Sequence, residues 1–113
     1  MGMADKIMAN AAPHLEPGEQ VQGAFAVQKT LTNKATSGGY RAVVATDRRI
    51  LVFQSGMFSQ TTLKRLLTSL PRDQRLGPGS GPFHRVQLGD ETMLVNFRYF
   101  KQLAAIDAAL DTP

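Results

Sequence analysis

The sequence predicts a mainly β fold, a strongly bent antiparallel barrel of about seven short strands with a helix at each end. Three observations carry that expectation. Apolar residues alternate along most of the chain from Val21 to Phe97. Turn-forming residues such as Gly, Pro, Asn and Asp break that stretch at short intervals. Helical spacing occurs only in the first dozen residues and in the tail after Arg98. So many antiparallel strands in so short a stretch must curl until their apolar faces meet.

The elements follow in order. Met3 to Ala12 is rich in Ala and Met, and Ile7 lies at helical spacing from Met3 and Ala11, so a short helix is expected before Pro13. Residues 1–15 form this helical lead and 16–113 the barrel domain. Val21, Gly23, Phe25 and Val27 then share one strand face, with Gln20, Gln22 and Gln28 turned to water or to a neighbouring strand. Lys29 to Gly39 has no apolar period and reads as a long hairpin loop. Tyr40 to Thr46 and Arg49 to Gln54 form the clearest hairpin, turning at Asp47-Arg48 and burying Val44 and Val52.

Leu63 to Leu70 fits either a strand or a short helix, and Pro71 ends it either way. A short strand at Gln74 to Leu76 precedes the loop Gly77 to Pro82. Phe83 to Leu88 and Thr92 to Phe97 make a second hairpin. Tyr99, Leu103, Ile106 and Leu110 then fall on one face of a C-terminal helix that would cap the barrel.

The chain has 113 residues, 42% apolar and 19% charged, enough for one domain with a modest core and too apolar for a disordered one. No apolar run reaches the ~20 residues of a membrane-spanning helix. With no cysteine, disulfides, thiolate nucleophiles and cysteine metal sites are excluded. A cytoplasmic location fits, with peripheral attachment to the inner face of the membrane as a second reading. The net charge of +4 is unevenly spread: ten basic residues against two acids between Lys29 and Arg85. A basic middle of this kind either meets an anionic partner or merely solubilises strand edges and loops.

The residues supply little reaction chemistry. His14 and His84 have no acidic neighbours at metal-ligand spacing, so neither a metal nor a cofactor is expected. Most of the acids lie in turns or on outward helix faces, with Asp47 and Asp90 expected to bond their own hairpin turns. No serine sits in a nucleophile elbow, and the glycines of 77–82 lack the Lys-Ser/Thr of a phosphate loop. A non-enzymatic protein without a small-molecule substrate is the expectation. Of the aromatics Phe25, Tyr40, Phe53, Phe97, Tyr99 and Phe100, all but Phe100 occupy core or rim positions, which argues against a base-stacking surface for nucleic acid. Met57-Phe58 either folds back onto the barrel or reaches a membrane or partner.

The string Ala42-Val43-Val44-Ala45-Thr46-Asp47-Arg48-Arg49-Ile50-Leu51-Val52-Phe53, prefaced by the turn Glu16-Pro17-Gly18-Glu19, resembles bacterial pleckstrin-homology-like domains. The resemblance spans roughly Glu16 to Ala109. It implies a seven-stranded barrel capped by the last helix and reused for binding lipids, peptides or proteins. Lipid-binding members carry a basic run across the first hairpin loop. Lys29, Lys34 and Arg41 stand there, but Thr36 takes the place of the closing Arg, so inositide selectivity is not expected. With Arg48 and Arg49 these make the candidate anion site; alternatively, the arginine pair only covers the barrel rim. The functional expectation is a binding module for a protein partner or a second copy, with an anionic membrane surface second and nucleic acid third.

Overall fold

The computed structural model describes residues 2–28, 40–55, 61–89 and 91–111. It is mainly β: two antiparallel sheets of six strands in all, with two α-helices. Helix α1 (Met3–Ala11) runs into a 3-10 turn at Ala12–His14. Strands β1 (Val21–Val27), β2 (Arg41–Thr46), β3 (Arg49–Gln54) and β4 (Arg65–Pro71) form one sheet in that order. Strands β5 (Phe83–Leu88) and β6 (Glu91–Asn96) form the second. A 3-10 turn, Phe97–Tyr99, leads into helix α2 (Phe100–Leu110).

The centre of the four-stranded sheet is buried on both faces. Partners across an antiparallel ladder point to the same side. Phe25 pairs with Val43 and Val43 with Val52, so these three share one face. Ala26, Ala42 and Phe53 share the other. His14, just beyond α1, stacks on the second face, its ring 4.9 Å from that of Phe53. Helix α2 covers the first face, and the contact is so close that a Cβ on Gly23 would stand 2.7 Å from Ile106 Cγ1. Only glycine leaves room there. Val44 and Val52 are therefore both buried, as the alternation suggested, but on opposite faces. Ile7 and Ala11 of α1 and Tyr99, Leu103 and Ile106 at the other end of the chain join the same core.

The two sheets meet along β1. Its Ala24 N–H donates to Gln102 Oε1 of α2 at 3.1 Å. Gln28 exchanges both main-chain hydrogen bonds with Leu94 of β6, at 3.0 and 2.8 Å. The barrel does not close on the far side: among the described residues no ladder joins β4 to β5. The seventh strand expected at Gln74 to Leu76 is absent because its main chain is satisfied otherwise. Leu76 N–H and Gly77 N–H donate to the two oxygens of Asp107, both at 2.8 Å. The Leu76 carbonyl meets His84 Nε2, also at 2.8 Å.

Two further expectations change. Leu63 to Leu70 resolves as strand β4, and most of it faces solvent. Phe97, read as the last core residue of the second hairpin, is 62% exposed, because it opens the 3-10 turn instead of ending β6. The loop from Lys29 to Gly39 and the pair Met57-Phe58 lie outside the described residues.

Candidate functional site

The two segments that carry the family resemblance meet in space. Glu19, at the end of the Glu16-Pro17-Gly18-Glu19 turn, has a side chain with no exposed surface. Its Oε2 accepts from Thr46 Oγ1 at 2.6 Å and from Arg49 Nε at 2.9 Å. Its Oε1 accepts from Arg49 Nη2 and from the Glu16 N–H, each at 2.9 Å. This is a bidentate, charge-assisted pair with both oxygens saturated. The arginine bonds outweigh the burial that opposes them and, with Thr46 and Glu16, hold the carboxyl at about 2, below its usual 4.5. The same pairing raises the Arg49 guanidinium despite its own burial.

Around the pair the turn closes on itself. Thr46 Oγ1 accepts from the N–H groups of Arg48 and Arg49, each at 3.1 Å. Asp47 does not bond its own hairpin as expected: its Oδ1 accepts from the Gln20 N–H at 2.9 Å, while its own N–H donates to Gln20 O. Arg48 Nη2 donates to Pro17 O at 3.3 Å, and its guanidinium lies 3.9 Å from Glu16. Gly18, at φ +81°, supplies the left-handed residue that lets the turn reach Arg48.

Of the five residues of the candidate anion site, three arginines fall among the described residues. Arg49 is paired with the buried Glu19, whereas Arg48 stays exposed, its guanidinium 3.9 Å from Glu16. Arg41 pairs with Glu91 at the start of β6, which ties β2 to the second sheet. Lys29 and Lys34 lie outside the described residues. The acids that cancel these arginines are far away in the sequence, so no local pattern announced them.

Sequence reasoning also passed over Arg72. This arginine is buried, donates from Nε to Gln22 Oε1 at 2.7 Å and from Nη2 to the Ile106 carbonyl at 2.6 Å, and leaves Nη1 without a partner. Burial lowers its pKa and Asp107 pulls it back up. It acts as a clamp between the end of β4 and helix α2.

A second feature has the geometry of a binding site. Where β1 and β6 separate, a small cleft is lined by Gln28, Tyr40, Asn96, Arg98 and Tyr99 together with Ala26 and Leu94. Asn96 caps the following 3-10 turn, so its Oδ1 accepts from the Arg98 N–H at 3.0 Å and from Arg98 Nε at 3.2 Å. Among the described residues, the acceptor nearest Arg98 Nη1 is the Met3 thioether, 3.4 Å away. Burial raises the Tyr99 hydroxyl above its usual pKa; Arg98 lowers it and Tyr40 raises it further, to a smaller extent. The sequence signal for this corner was the Asn-x-Arg placed just before the final helix.

Among the described residues no group of three or more His, Asp or Glu side chains could hold a metal ion. No helix there is long and apolar enough to cross a membrane. Fold and site together define a small, mainly β protein whose strand turns are locked by internal ion pairs. Comparison with protein-family models, with curated proteins and with solved structures finds no match.

Proposed function

We propose that this protein is a non-enzymatic binding module of the pleckstrin-homology-like kind, acting in the cytoplasm on a protein partner or a second copy of itself. Its docking element is the free edge of β4, which accepts an added strand. The observation that carries this reading is the state of that edge. No strand pairs with it among the described residues, and Leu66 and Leu67 stand 45% and 37% exposed. Edge strands are normally protected by charge, proline or a bulge. Here Lys64 and Arg65 guard one end and Pro71 the other, with a register shift opposite Val52 and Phe53. The stretch from Leu66 to Leu70 between them carries no charge.

The competing membrane reading has less to draw on, since Arg41 and Arg49 each pair with a carboxylate of the same chain. The test compares wild type with Leu67→Lys, by sedimentation of the purified protein and by capture of partners from extract. Self-association, or a captured protein, that disappears in Leu67→Lys supports strand addition. A monomer that captures nothing, or captures equally well as the variant, overturns it.

A further inference from the structure

The cleft between β1 and β6 holds an unusual balance of polar groups. Three of its side chains carry donors that meet no acceptor among the described residues: the Tyr40 hydroxyl, Asn96 Nδ2 and Arg98 Nη2. The amide orientation of Asn96 follows from chemistry. Its oxygen must face the two N–H groups it caps, so its NH2 turns the other way. Arg98 is held by that same oxygen, and its remaining hydrogen bond among the described residues is to a thioether, one of the weakest acceptors a side chain offers. No acid lines the cleft among the described residues. Arg98 therefore differs from Arg41 and Arg49, each of which has a carboxylate of its own.

We infer that this cleft binds a small oxyanion, a phosphate or carboxylate group, held by Arg98 with Asn96 Nδ2 and the Tyr40 hydroxyl. Such a group is acceptor-only and carries the charge that Arg98 lacks, and its bonds to a guanidinium are charge-assisted. The site is preorganised: the cap fixes Asn96, Asn96 fixes Arg98, and the ladders of β1 and β6 fix the walls. Its binding does not depend on the β4 edge, so the two proposals stand or fall separately.

The group arrives either free in solution or on a lipid head, and the experiment distinguishes these sources. Nitrogen-15 NMR spectra of the full chain are titrated with inorganic phosphate and with acetate, at ionic strength held constant with sodium chloride because nonspecific attraction is screened by salt. Flotation with phosphatidylglycerol and with phosphatidylcholine vesicles runs in parallel. Saturable shifts at the Arg98 Nε–H and the Asn96 side-chain amide, weakened about tenfold in Arg98→Gln, establish the site with a free ligand. Arg98-dependent flotation with phosphatidylglycerol alone establishes it with a lipid-borne one. Tyr40→Phe, which removes only a hydroxyl, gives a smaller loss in the same direction and guards against a misfolded Arg98 variant. No response beyond the chloride control, or a response unchanged in both variants, overturns the inference.

Discussion

Strands β3 and β4 are neighbours in one sheet, joined by an antiparallel ladder with one register shift, and both are rich in aliphatic residues. Yet Ile50 to Phe53 are all buried, whereas β4 is exposed along its length except for the half-buried Leu70. The difference is cover, not composition. Over β3 the His14 turn packs on one face, and the core beneath α2 takes the other. β4 lies at the edge of the sheet, with β3 as its ladder partner among the described residues. Its leucines are left at the surface, where apolar side chains at an open edge favour association. Hydrophobicity of a strand therefore says that it needs a partner, and only the tertiary structure says whether the partner lies within the same chain.

Four substitutions test the wider difference between covered and exposed positions. The largest effect belongs to Val44→Asp, which puts an unpaired charge into a site with no exposed surface. It should cost about 4 kcal/mol or more, read from urea unfolding, and leave little folded protein. Glu19→Gln comes next, at about 3 kcal/mol, because it breaks a saturated buried pair.

Glu19 also fixes a pH dependence. Its carboxyl is at about 2 in the folded protein against 4.5 as a free group, so the stabilisation is complete above about pH 4.5 and is lost as pH falls towards 2. Over that window the wild type should lose stability more steeply than Glu19→Gln. Parallel curves would remove the pair from the account. Asp47→Ala is smaller, about 1 kcal/mol, since only the bond to the Gln20 N–H disappears. Smallest is Thr68→Asp on exposed β4, within about 0.5 kcal/mol. If it destabilises the fold as much as Val44→Asp does, the difference in cover between the strands is broken.

The sequence made legible whatever its local periodicity determines. The β2–β3 hairpin lies where alternation and the Asp47-Arg48 turn put it. Of the helical stripe, Tyr99, Leu103 and Ile106 are buried as the spacing requires, while Leu110 is half-buried. Less legible was everything settled by a distant partner. Nothing near Gln74 signals that Asp107 will take the main-chain bonds a seventh strand would have made. Nothing near Arg49 signals that its charge is spent on Glu19. Even the hairpin misled in one respect. A strand buried on both faces shows no alternation of cover, so Val44 and Val52 looked like partners on one side.

The late partners of the outer edge of β1 have a kinetic consequence. This strand is synthesised before the groups that complete its outer edge: Gln102, 78 residues from Ala24, and Leu94 of β6, which pairs with Gln28 just beyond the strand. Contacts of such high sequence separation raise contact order and slow folding, because the intervening chain must be ordered before the contacts reward it. Until then β1 presents an open edge to whatever passes, and a nascent chain in that state is prone to mispairing. The rate at which this protein escapes aggregation should therefore be set by the arrival of its last strand and helix, and refolding should slow when Leu94 or Gln102 is changed.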